Sequence, residues 1–142
     1  MSQTHLDGDF SELVEIIAQL RAENGCPWDM KQTPLTLKKY LLEETNELAE
    51  AIEKEDPDHV REETGDLFFI LVLLIKTYEE KKLFTINDVL KKISEKMIRR
   101  HPHVFSGIKT GNETELRKQW EKIKALEKGS QNASDQIDSK SK

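Results

Sequence analysis

Two acidic runs on either side of an Asp-Pro break limit the folds open to this chain more than any other feature. Glu43-Glu44-Thr45-Asn46-Glu47 precedes the break and Glu63-Thr64-Gly65-Asp66 follows it. At the break itself, Asp56-Pro57-Asp58 joins an N-capping side chain to a first-turn proline, which predicts a helix ending near Lys54 and another starting at Pro57. If the two helices run antiparallel about residue 55, Glu47 and Glu63 are equally far from the turn, and so are Glu44 and Asp66. Within each helix the pair is spaced i, i+3 and shares a face, and Glu43 joins Glu47 at i, i+4. The spacing therefore predicts an acidic αα-hairpin on which four carboxylates converge.

A solvated acidic face is the plain alternative, and helical geometry argues against it. At about 100° per residue, Leu37, Leu41, Leu48, Ala51 and Ile52 fall on one side of the first helix, with Glu44 inside that arc and Glu47 at its edge. In the second helix Glu63 continues the line of Ile70 and Leu74, and Asp66 lies between the lines of Ile70 and Leu73. Carboxylates held that close together would repel one another and be driven toward protonation. A cation removes both problems. Oxygen ligands with no nearby Cys or His favour a hard ion, Mg²⁺ or Mn²⁺, over zinc.

The whole chain narrows the classes further. Its 142 residues suit one domain, and a net charge of -5 with 35% charged residues argues against non-specific nucleic-acid binding, which needs a basic surface. A lone cysteine, Cys26, forms no internal disulfide, and the first residues lack a basic-then-apolar signal pattern. Both features predict a cytoplasmic setting. The longest apolar run, Leu67 to Ile75, is too short to span a bilayer as a helix, so no membrane association is expected.

Read in order, the chain is all-α, with no strand-like alternation of useful length. Residues 1–9 are polar and expected to be flexible. Leu13, Ile16, Ile17 and Leu20 recur at helical spacing, giving a first helix capped by Asp9 or Ser11 and closed by Asn24-Gly25. In the loop Gly25-Cys26-Pro27-Trp28-Asp29, the tryptophan either folds back onto the core or stacks on a planar ligand. Thr33-Pro34 opens the first acidic helix. The next helix, from Pro57 to about Lys81, is apolar on every side over Leu67 to Ile75 and must be covered all round, which predicts a homo-oligomer, a dimer first of all.

Thr85 and Asp88 open a further helix carrying Val89, Leu90, Ile93, Met97 and Ile98, which Pro102 ends in the segment Arg99-Arg100-His101-Pro102-His103-Val104-Phe105. Lys96, Arg99 and Arg100 concentrate positive charge in an acidic protein. They are a solvated helix end or a polyphosphate site. The two histidines lack metal-ligand spacing and read as structural. After a loop from Ser106 to Gly111, a short last helix holds Leu116, Trp120, Ile123 and Leu126, with Trp120 and Lys124 one turn apart. From Lys128 onward almost nothing is apolar, and residues 128–142 are expected to be a disordered tail.

Taken together and in this order, Glu-Glu-x-x-Glu (43–47), Glu-x-x-Asp (63–66), Gly-Cys-Pro-Trp-Asp, Arg-Arg-His-Pro-His-Val-Phe and the late Trp-x-x-x-Lys resemble the MazG family of nucleoside triphosphate pyrophosphohydrolases, over residues 10–127. The resemblance implies an oligomeric helical bundle of about five helices with the acidic hairpin at its centre. It also implies Mg²⁺-dependent hydrolysis of a nucleoside triphosphate to the monophosphate and pyrophosphate. By motif position, Glu44, Glu47, Glu63 and Asp66 would hold the metal, with Glu43 adjacent. Lys96, Arg99 and Arg100 would meet the phosphates, and Trp120 and Lys124 would hold the nucleotide, with Trp28 a further candidate. The chain departs from the best-known members in carrying one such domain where they carry two. Asn46 stands where a larger residue is expected, and the Arg-Arg-His-Pro-His-Val-Phe segment is more like the first tandem domain than the second.

Within that scheme Glu43 or Glu47 would activate the attacking water, and Glu63 is indispensable. Three alternatives differ in class. A ferritin-like di-iron protein requires Glu-x-x-His on its helices, and the chain contains no such tetrapeptide. A catalytically weak nucleotide-binding module would keep the site without the turnover. A narrow-substrate relative would act on dUTP or phosphoribosyl-ATP.

Overall fold

The Asp56 break folds as its residue types dictate. In the computed structural model the Asp56 side chain accepts hydrogen bonds from the Asp58 and His59 amides, at 3.1 and 3.3 Å, and Pro57 occupies the first turn of the helix it caps. Such a cap is worth about 1 kcal/mol. Glu55, between the two helices, sits at φ 52°, the left-handed conformation that reverses the chain. The turn is thus centred on the residue from which the carboxylate register was counted. At the far end of the hairpin, Thr33 and Thr36 form a reciprocal capping box ahead of Pro34.

The structure describes the backbone of residues 3–107 and 111–140 and the side chains of 8–107 and 111–131. Among these there are seven helices and no strand: α1 Gln3–Arg21, α2 Pro27–Met30, α3 Pro34–Glu53, α4 Pro57–Glu80, α5 Ile86–Arg100, α6 Pro102–Phe105 and α7 Glu113–Lys140. The sequence predicts about five. The additional two, α2 and α6, are single turns, each begun by a proline whose fixed φ suits the first helical position. Pro102 therefore both stops α5 and starts α6.

Helix α1 begins at Gln3, and α7 continues to Lys140. Low hydrophobicity predicts that a segment will not fold alone. Extending a helix that already exists needs no new nucleus, and no proline interrupts 128–140. Part of the predicted Ser106–Gly111 loop, residues 108–110, and the ends of both termini lie outside the described residues.

The chain divides into two compact units, one up to Asp88 and one from Val89. In the first unit α3 and α4 pack along each other, and α1 packs on α4. Its core is Ile17, Leu37, Val72 and Leu73, with Leu13, Val14, Phe69, Leu74 and Ile86 packed around them. Burying each large aliphatic side chain contributes about 1.5–3 kcal/mol. The apolar periodicity of α1 and α3 is only partly used, since Ile16 and Ile52 are about half exposed.

Gly25 sets how the loop after α1 turns. A Cβ there would lie 2.3 Å from the Leu20 carbonyl oxygen and 2.5 Å from that of Gln19, so only glycine fits. The tight return lets Arg21 span two elements. Its Nη1 donates to the Asp29 and Gln32 carbonyls, and its Nε and Nη2 pair with the Glu80 carboxylate at 2.9 and 2.7 Å. Through these bonds the α2 loop is tied to the end of α4.

Candidate functional site

Antiparallel packing of α3 on α4 brings the four predicted carboxylates together. One oxygen from each of Glu44, Glu47, Glu63 and Asp66 lies within 4.8 Å of all the others, with Glu44 and Glu63 half-buried and Glu47 and Asp66 exposed. No basic side chain pairs with any of the four among the described residues. One Glu44 oxygen and one Glu63 oxygen, both Oε2, are buried without a hydrogen-bond partner.

The electrostatic consequence follows directly. Burial, reinforced by Glu47 and then Asp66, pushes the Glu44 carboxyl up to about 7. Burial and the adjacent Glu47 raise that of Glu63 as well. Four convergent oxygens, two of them buried orphans, in a set without sulfur or nitrogen donors, fit a hard divalent cation. Such an ion would give the orphaned atoms a partner and reverse both shifts.

Glu43 is not part of this convergence. It is exposed and faces Lys39 at 3.9 Å, one turn back along α3. Trp28 is half-buried, set edge-on to Tyr40 with ring centroids 5.2 Å apart, and packs against the core of the first unit. Asp29 beside it is buried, with Oδ1 unpartnered.

The second unit carries the remaining candidates. Lys96, Arg99, Arg100 and Lys124 line one groove of about 860 Å³, which Lys92 and Glu127 also line. Trp120 does not open onto that groove. It lines a separate concavity of about 510 Å³ with Arg100, His101, His103 and Leu116. Arg100 lines both, its guanidinium 5.2 Å from the centre of the Trp120 ring in a cation–π contact. His101 meets the same ring edge-on at 5.1 Å. Its Nδ1 lies 2.6 Å from the Met97 carbonyl, which can only accept, so that nitrogen carries the proton.

Sequence reasoning missed Glu127. Arg99 Nε donates to its Oε1 at 2.7 Å, and Arg100 Nη2 donates to its Oε2 at 2.8 Å. Hydrogen bonds from Arg100 and then Arg99 hold this carboxyl far below its ordinary range, at about 2. The signal was present in the spacing: Glu127 follows Trp120 by seven residues and Lys124 by three, on one face of α7.

With the geometry in hand, comparison with known proteins is specific. The MazG nucleotide pyrophosphohydrolase domain matches residues 32–105, a stretch that holds both acidic runs and Lys96 to Arg100 but neither Trp28 nor the α7 residues. Protein YabN of Bacillus subtilis is 49% identical over 126 residues, 89% of this chain and 26% of that protein. The nucleoside triphosphate pyrophosphohydrolase/pyrophosphatase MazG of Thermotoga maritima is 48% identical over 125 residues, 88% of this chain and 48% of that protein. The chain thus spans between about a quarter and a half of the length of these curated relatives. The crystal structure of a mazG-related protein from Thermotoga maritima superposes with a TM-score of 0.68 at 32% identity, covering 81% of this chain and 98% of that one. In its helices, its acidic cluster and its sequence alike, this chain belongs to the MazG nucleotide pyrophosphohydrolase family.

Proposed function

We propose that the protein hydrolyses nucleoside triphosphates to the nucleoside monophosphate and pyrophosphate with the help of Mg²⁺, for which Mn²⁺ can substitute. The observation that carries this is the meeting of Glu44, Glu47, Glu63 and Asp66 with two buried carboxylate oxygens left without a partner, in a chain of this family. Those four residues would hold the cation. Bound there, it supplies charge neutralisation and polarisation of phosphoryl oxygens.

The remaining steps fall to the chain's own side chains. Glu47, exposed at the rim of the cluster, orients the water and takes its proton as the water oxygen bonds to the α-phosphorus. The bond from that phosphorus to the α,β-bridging oxygen breaks, and the electron pair leaves with pyrophosphate. Of the two acids weighed for this role, Glu43 is the weaker candidate because it faces Lys39 and lies outside the cluster. The nucleotide's phosphates are assigned to Lys96, Arg99, Arg100 and Lys124, which share a groove, and its base to the concavity that Trp120 lines. No nucleotide contact is assigned to Trp28, whose ring packs on Tyr40 and the core.

A homodimer belongs to the same proposal. Phe68 and Leu71 of α4 are 49% and 39% exposed, and Leu42 of α3 is 56% exposed, leaving apolar surface on the hairpin that a second copy would cover. Among the described residues, no helix is long and apolar enough to cross a membrane.

The test is product analysis. Incubated with a triphosphate and Mg²⁺, the protein should release monophosphate and pyrophosphate in equal amounts. Release of diphosphate and orthophosphate would mean attack at the γ-phosphorus and would contradict the proposal. Comparing kcat/KM over a panel that includes dUTP and damaged triphosphates then defines the substrate.

A further inference from the structure

The groove of the second unit is basic, yet its two arginines are already engaged. Arg99 and Arg100 both donate to one carboxylate, Glu127, at 2.7 and 2.8 Å. Such charge-assisted bonds are the strong class of hydrogen bond. Arg100 also lies over the Trp120 ring. Both arginines are therefore occupied by other groups of the same unit.

This arrangement leaves a donor unsatisfied. Arg100 Nε is buried and finds no acceptor among the described residues, although its side chain is only 17% exposed. A buried charged donor without a partner carries a desolvation penalty of about 1–3 kcal/mol or more. The Glu127-paired pose thus satisfies Arg100 incompletely, and exchange for a ligand with more acceptors would recover that cost. A phosphate offers such acceptors. Lys92, Lys96 and Lys124 line the same groove and would add charge to hold the rest of a polyphosphate.

We infer that Glu127 is an internal stand-in for phosphate, holding Arg99 and Arg100 in a resting pair that the substrate's polyphosphate must displace. The inference rests on reading this groove as the phosphate site. It makes Glu127 a positioning residue that sets affinity for the polyphosphate and takes no part in bond making. The exchange is anion for anion, so its strength depends on how well each competes for the two guanidinium groups.

The probe is inorganic tripolyphosphate, titrated calorimetrically into the full chain without divalent metal, which leaves the acidic cluster out of the measurement. Glu127→Gln keeps the size of the side chain and removes the competing charge. It should tighten tripolyphosphate binding by about tenfold or more, the equivalent of one charge-assisted hydrogen bond that need not be broken. With a nucleoside triphosphate and Mg²⁺ it should lower KM and leave kcat unchanged or reduced, a split that a general loss of structure would not produce. Lys96→Ala, which leaves the Glu127 pair intact, should weaken binding of the same probe.

If Lys96→Ala weakens binding and Glu127→Gln leaves it unchanged or weakens it too, the groove binds phosphate and the displacement idea is wrong. If Lys96→Ala has no effect, the assignment of the groove fails and the inference fails with it. Should Glu127→Gln not fold, Glu127→Asp, which withdraws the carboxylate by one methylene, must show the same tightening.

Discussion

The acidic hairpin of the first unit and the arginine pair of the second solve opposite problems. On α3 and α4, like charges are brought within 4.8 Å with no internal counterion, and two oxygens are left buried and unpaired. On α5 and α7, opposite charges meet at 2.7 and 2.8 Å and compensate each other. A carboxyl in the first region is pushed up to about 7, whereas the carboxyl in the second is pulled down to about 2. Burial alone would raise both; the sign is decided by the neighbour. The comparison distinguishes two kinds of incomplete site. One has no internal counterion, and the other has its charge met internally.

The largest expected effect comes from breaking the first region. Glu63→Ala should reduce pyrophosphate release by more than about a hundredfold, since on the proposed function it would remove a ligand to the divalent cation. In metal-free buffer the same change should raise the melting temperature or leave it unchanged, because it removes one of four repelling charges. A large drop in melting temperature without metal would mean that the cluster is already compensated.

The pH profile sharpens the same contrast. The Glu44 carboxyl is raised from 4.5 to about 7 on folding, so between those values the folded chain binds more protons than the unfolded one. The stability of the metal-free protein must then fall as pH rises through this window and be greatest below it. Urea midpoints measured from about pH 5 to about pH 8 should show this decline, and Glu44→Gln should flatten it. Mg²⁺ should flatten it as well, by holding the carboxylate in its charged form.

Glu43→Gln should have the smallest effect. This side chain is exposed and pairs with Lys39 at 3.9 Å, a contact of the surface kind worth about 0–1 kcal/mol. Turnover should fall by less than about threefold, against the large loss at Glu63. A loss at Glu43 equal to that at Glu63 would move the water-activating role to Glu43.

The hairpin was legible because its signals are local. Asp56-Pro57 marks the turn, i, i+3 spacing aligns the acids, and the apolar residues of α3 show which way the helix faces. Counting outward from residue 55 is then enough to pair Glu47 with Glu63 and Glu44 with Asp66. The second region was only half legible. Lys96, Arg99 and Arg100 stand out as a basic run, but Glu127 lies 27 and 28 residues further along the chain, and nothing local announces its partners. Trp28 was ambiguous for the same reason, since its contact with Tyr40 depends on how the Gly25 loop returns.

The central claim is that the hairpin carboxylates face one another because a divalent cation is to be held among them. Thermal unfolding of the full chain with increasing Mg²⁺ at neutral pH tests it most directly. An ion bound only by the folded state must raise the melting temperature as its concentration rises. The account predicts that rise in the wild type and its loss in Glu63→Ala. Curves that stay superimposed with and without Mg²⁺, or a rise that persists in Glu63→Ala, would contradict it.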